Sequence, residues 1–178
     1  MSKPTLKVTS DFTKQFNDVI SKFKSDAVLV GIPQEDDGRD DVETASSVEG
    51  SVIGNAAILA IQHFGSEEAH IPPRPVLAIG VRMAQADIAA QFKLAAQKVW
   101  KEGPSALRRY YERAGTIAAS SCKRVITQQI DILPPAESTL SARKYLTQKG
   151  FRGTKSLLVT GQLRNAITYV VQNIWGGK

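Results

Sequence analysis

Between residues 71 and 75 the chain reads Ile-Pro-Pro-Arg-Pro, three prolines in four positions. Proline has no amide hydrogen, holds its own φ at about −65°, and pushes the residue before it out of the helical region. No helix and no central strand can run through such a stretch. It must be an extended, stiff arm, and the rest of the chain has to be arranged on either side of it.

On the N-terminal side, Phe12, Phe16, Val19 and Phe23 recur at helical spacing behind Ser10, a residue suited to an N-cap. This predicts an amphipathic helix over 11–24. Ala27-Val-Leu-Val-Gly-Ile32 follows as a short buried strand stopped by Pro33. Residues 34–53 are acidic, rich in Ser and Gly and without periodicity, which predicts a long mobile loop. Asn55 to Phe64 reads as a short helix with Ile58, Ile61 and Phe64 on one side, closed by Gly65.

On the C-terminal side, Val76 to Val81 fits either a strand or the beginning of a helix. Two long helices are then expected. The stripe Ile88, Phe92, Ala95 and Val99 marks one across 84–101, and Leu107, Tyr111, Ala114, Ala118, Cys122 and Val125 mark another across 105–131. Gly103-Pro104 divides them, and Leu133-Pro-Pro135 ends the pair. Residues 136–157 are polar and basic and read as a loop. Thr160 is placed to cap a short helix, 161–166, with Leu163 and Ile167 inward, and Thr168 to Asn173 is rich in β-formers. The order predicts one α+β domain over 1–178: a small β-sheet packed against several helices, two of them long, with a long mobile acidic loop.

Charge narrows the functional classes. Residues 35–49 hold seven acids and one base, and residues 138–178 hold seven bases and no acid. Either segment could be solvated, or could meet a charged partner or neighbouring subunit. The candidates are Asp36, Asp37, Asp40 and Asp41 on one side and Arg143, Lys144, Lys149, Arg152, Lys155 and Arg164 on the other. No run is long and apolar enough to suggest a membrane span, and the first residues carry no apolar signal core, so the expected site of synthesis and assembly is the cytoplasm. Cys122 is the only cysteine and sits in a helical pattern, as a small buried apolar side chain would. With two histidines, His63 and His70, and no Walker loop, nucleophile elbow or HExxH motif, the sequence points to no enzyme, metal site or cofactor. The four aspartates lack the alternation of a calcium loop.

Two segments carry a resemblance. One is Asn55-Ala-Ala-Ile-Leu-Ala-Ile-Gln-His-Phe-Gly65 with Ile71-Pro-Pro-Arg-Pro75. The other is Leu158-Val-Thr-Gly-Gln-Leu-Arg-Asn-Ala-Ile-Thr-Tyr-Val-Val171, preceded by Leu133-Pro-Pro135 and Ser138-Thr-Leu140. Together they resemble the phage virion-morphogenesis, or tail-completion, family that includes the minor tail protein Z type. That family runs a helix ending near His-Glu-Phe-Gly into Ile-Pro-x-Arg-Pro-Phe, and later Thr-Gly-x-Leu-x-x-Ser-Ile into a last strand. This chain departs from the pattern at His63, shifted by one place, at Val76 in place of Phe, and at Ala166 in place of Ser.

The resemblance implies a non-enzymatic neck protein of a virion. Such a protein forms a ring, commonly six-fold, between the tail terminator and a head-completion or connector protein, with packaged DNA a possible further contact. Pro72, Pro73 and Pro75 would stiffen the arm, and Arg74 on it could present a planar fork either to a neighbouring subunit or to its own loop. Two rivals remain. A nucleic-acid-binding module would use the Arg-rich helix 105–131, with Tyr110 and Tyr111 beside Arg109 and Arg113. A terminator or connector subunit would use the same motifs at a neighbouring position in the neck.

Overall fold

The computed structural model describes residues 13–38, 53–147, 154–158 and 161–174. Among them are seven α-helices and one two-stranded antiparallel sheet, an α+β fold as the sequence predicts. In chain order these are α1 (Thr13–Ser25), β1 (Asp26–Gly31), α2 (Asn55–Phe64), α3 (Val76–Met83), α4 (Gln85–Glu102), α5 (Ser105–Gln128), α6 (Glu137–Thr147), α7 (Gln162–Ala166) and β2 (Thr168–Asn173).

Helix α5 is the spine. At 24 residues it is roughly 36 Å long, and its two halves serve two apolar clusters. Near its start, Leu107, Tyr110 and Tyr111 pack with Val19 of α1 and Ala95 and Val99 of α4. Near its end, Cys122, Val125 and Ile126 pack with Leu59 of α2, Val76 and Ile79 of α3, and Leu163 and Ile167 around α7. Gly103 turns the chain between α4 and α5 at φ 81°, a conformation that costs an L-residue its Cβ clearance.

The middle of α5 carries small residues, and neighbours come close there. A Cβ on Gly80 would lie 2.6 Å from the Cα of Cys122, so α3 crosses α5 almost backbone to backbone. A Cβ on Gly115 would enter the Tyr169 ring, so β2 lies directly over the helix. The strands pair Asp26 with Asn173 through Gly31 with Thr168. Period two then sends Val28, Val30, Tyr169 and Val171 inward, while Leu29 and Val170, opposite each other, stay exposed.

One open choice is decided, one expectation is corrected, and the buried face of α2 is defined. The stretch 76–81, open between strand and helix, is helical in α3. Residues 137–147 form α6 where a loop was expected, because the polar sequence hid an ordinary helix with Glu137 in its first turn, favourable to the helix dipole. On α2 the inward residues are Asn55 and Leu59, with Ile58 partly buried; Ile61 and Phe64 face outward. The Ser10 and Thr160 caps and the predicted mobility of most of 34–53 lie outside the described residues.

Candidate interaction surfaces

The proline arm leaves α2 through Gly65, whose φ is 77° and whose missing Cβ would stand 2.8 Å from the Ile71 carbonyl. Ser66 and Ile71 then exchange backbone hydrogen bonds of 2.9 and 2.8 Å, which returns the chain along itself. Arg74 follows. Its amide donates to the Gln62 carbonyl, and its guanidinium donates to the Gln62 side-chain oxygen (2.8 Å), the Leu133 carbonyl (3.0 Å) and the Pro134 carbonyl (3.0 Å).

Arg74 is therefore 7% exposed, and its fork is spent on its own chain. It ties the last turn of α2 to the Leu133-Pro134 segment beyond α5. This corrects the view of Arg74 as a free interface group: of the two roles the sequence allowed, the geometry is that of the internal tie. Burial lowers its pKa from the usual guanidinium value. Pro72 and Pro73 are exposed and Pro75 is half-buried, so the arm's outer surface is made by its prolines.

The Leu133 carbonyl also accepts from the Ser156 hydroxyl at 2.7 Å. Gln129, left-handed at φ 58° as the C-cap of α5, clasps the Ser156 backbone by accepting at 2.7 Å and donating at 3.0 Å. Beside this network three of the predicted basic residues meet. Lys155 donates to the Thr127 carbonyl (2.7 Å), Arg164 to the Thr127 hydroxyl (3.4 Å), and Arg143 to the Lys155 carbonyl (2.8 Å). Cations belong at a helix C-terminus, where the unpaired carbonyls carry partial negative charge. Arg143 is held below its usual pKa, first by burial and then by the charge of Arg74. Lys149 and Arg152 lie outside the described residues, and for Lys144 only the backbone is described.

The acidic candidates divide differently. Asp36 is exposed in a short 3₁₀ turn over Gln34–Asp36. Asp37 is structural: its carboxylate accepts from the Ala56 amide at 2.5 Å and its carbonyl accepts from the Asn55 amide at 3.2 Å. Asn55, fully buried, returns a bond of 2.7 Å to the Gly38 carbonyl. A Cβ on Gly54 would collide with the Asp37 carboxylate, so glycine is what lets the cap close. Asp37 thus caps α2 from 19 residues upstream. Asp40 and Asp41 lie outside the described residues.

Sequence reasoning missed the exposed apolar groups. Phe64 is 80% exposed at the end of α2. Phe16 and Trp100, 51% and 48% exposed, stack with ring centroids 5.6 Å apart. The signal was present in α2, which is apolar around nearly its whole circumference. Along α5, Arg109 and Arg113 lie over Tyr110 at 5.2 and 5.4 Å, and Arg109 pairs with Glu102 while Arg108 pairs with Glu112. Cys122 is fully buried, and burial pushes its thiol up to about 11. No helix among the described residues is long and apolar enough to cross a membrane, and they hold no His/Cys/Asp/Glu cluster fit for a metal. Comparison with family models, with curated proteins and with solved structures finds no match to this chain.

Proposed function

We propose that the chain is a non-enzymatic structural subunit of a tailed-phage particle. It is a tail-completion protein that forms a ring at the head-proximal end of the tail and joins tail to head. Its partners in this reading are its own copies, a tail terminator and a head-completion or connector protein, in a virion neck assembled in the host cytoplasm.

The observation that supports the reading is where the two resembling segments lie. They are far apart in sequence, yet Leu59 and Val76 from the first share one apolar cluster with Leu163 and Ile167 from the second. Arg74 of the first is also bonded to Leu133 and Pro134, which precede the second. Packed together in this way, the two segments support reading them as one signature.

Electron microscopy of the purified protein, alone and with isolated tail tubes, tests it. Rings that cap one end of the tubes are expected. A protein that stays monomeric and leaves tube ends bare at high concentration would overturn the reading.

Nucleic-acid binding is the second reading, favoured by the basic, solvent-facing residues Arg113 and Arg124 of α5 and by the cations gathered at its end. Tyr110 and Tyr111 lie in the core, so base stacking on them is closed off, and binding would rest on phosphate contacts alone. Retention on DNA that falls steeply with salt, in a protein that never forms rings, would favour it.

A further inference from the structure

We propose that the outer face of α2 and the Phe16–Trp100 pair are the two halves of one head-to-tail interface between copies of this chain. The inference rests on the ring reading and names the surfaces that would close the ring.

Helix α2 reads Asn-Ala-Ala-Ile-Leu-Ala-Ile-Gln-His-Phe. Only one side of it is covered, through Asn55, Leu59 and the half-buried Ile58. Ala57, Ala60, Ile61 and Phe64, at the three- and four-residue spacing of a single helix face, are all exposed. A helix that is apolar all round belongs in an interior, and this one lies at the surface of the single chain. Its end is also held firmly, because Gly65 turns tightly and Arg74 bonds both the backbone and the side chain of Gln62. Phe64 is presented on a rigid mount, which reduces the entropy lost on docking.

The surroundings of this face are acidic. Asp36 and Asp37 stand at the N-terminal end of α2, where Asp37 is bonded to its first turn. Glu67 and Glu68, both exposed, follow Phe64 in the next turn. From Ile53 to Pro73 the chain holds no Lys or Arg.

The second half is flanked mainly by lysines. Phe16 of α1 and Trp100 of α4 stack at an interplanar angle of 18° yet remain about half exposed. Lys14 precedes Phe16 by two residues, Lys101 adjoins Trp100, and Lys93 lies two helical turns before it; all are exposed. Among the described residues none of these lysines pairs with a carboxylate; the nearby acids are Asp18, exposed two residues after Phe16, and Glu102, which pairs with Arg109.

A head-to-tail ring requires two different, mutually complementary patches on every subunit. The described residues present an apolar patch flanked by acids on α2 and an aromatic patch flanked mainly by lysines on α1 and α4. An aromatic anchor within a polar rim is the usual composition of an energetic interface centre, and opposite charges across it steer docking and fix register. The occupant of each patch is therefore the other patch on a second copy.

Cysteine cross-linking decides it, because the one native thiol, Cys122, is buried and silent. Ala60→Cys and Gln97→Cys, both exposed and one helical turn from Phe64 and Trp100, are made separately and oxidised mildly, alone and mixed, with wild-type assembly followed by native mass spectrometry. The mixture should give disulfide-linked dimers holding one of each variant, roughly tenfold or more above either variant alone. Phe64→Ser should weaken self-association by a similar factor. Ala60→Cys linking to itself as well as the mixture does would overturn the proposal in favour of a two-fold contact. A wild-type protein that forms rings without the mixed link, or a Phe64→Ser protein that assembles normally, would overturn it while leaving the ring reading in place. A wild-type protein that is monomeric throughout would overturn both.

Discussion

Removing the Arg74 side chain should cost the fold itself. Arg74→Ala leaves the Pro134 carbonyl and the Gln62 side chain without this donor and the Leu133 carbonyl with Ser156 alone. The expected loss is about 3 kcal/mol, a fall of roughly 6–12 °C in Tm by calorimetry. Arg74→Lys should recover only part of it, because an ammonium cannot span three acceptors arranged around a planar fork. An Arg74→Ala protein with unchanged Tm would return Arg74 to the surface role. Cys122 makes a second prediction at this scale. Buried and raised to about 11, it should resist iodoacetamide at pH 8 in the native protein and react on unfolding. Because its folded pKa lies above the ordinary value, its contribution to stability is present below about pH 9 and is lost as pH climbs towards 11. Chemical denaturation across that range should show the decline.

At the scale of elements, glycine decides how α5 is covered. Helix propensity alone makes Gly80→Ala favourable by about 1 kcal/mol. Packing reverses the sign, because the new Cβ would press on the Cys122 backbone at 2.6 Å, where nothing flexible can yield. The net effect should be a destabilisation of about 1–2 kcal/mol by urea titration, larger for Gly80→Val. Gly80→Ala raising the urea midpoint would mean that α3 and α5 separate freely. Capping offers a parallel case. Asp37→Ala should remove about 1 kcal/mol, although Asp37 is not adjacent to the helix it caps. That distant cap was not legible in the sequence, because capping rules look only at neighbours. The strand pair, α2, α5 and the short α7 were legible, since their periodicities and Gly/Pro punctuation are local properties. Helix α6 was not, since Glu-Ser-Thr-Leu-Ser-Ala-Arg-Lys-Tyr-Leu-Thr has too few apolar residues for a strong stripe. The orientation of α2 was hidden for the opposite reason: with apolar residues on every side, periodicity cannot choose the inward face.

For the whole molecule, charge was legible as a sum and not as a set of sites. The sequence placed seven acids in one segment and seven bases in another. Asp37 among the acids turns out to be a helix cap, while Arg143, Lys155 and Arg164 gather around the end of α5. A charge swap meant to test assembly should therefore spare Asp37 and change Asp36, Asp40 and Asp41 to Lys. If opposite segments meet between subunits, this variant should keep the wild-type Tm and lose oligomer, and salt near 1 M, where the Debye length is about 3 Å, should mimic it. Unchanged assembly in the variant would remove the acidic segment from the interface and leave the apolar patches to act alone.

The pairing of Asp26 with Asn173 has a consequence for how the chain comes into being. A ribosome delivers about 5–20 residues per second, and 136 residues separate Gly31 from Thr168, so β2 follows β1 by roughly 7–27 s. Throughout that time β1 lacks the strand it pairs with here, and the shallow seat at Gly115 waits for Tyr169. The helices between the two strands can wind and pair first, but the sheet can close only once β2 has been made. The nascent chain thus spends seconds with the middle of its longest helix uncovered, and its yield in a cell depends on what shields that helix until the last strand arrives.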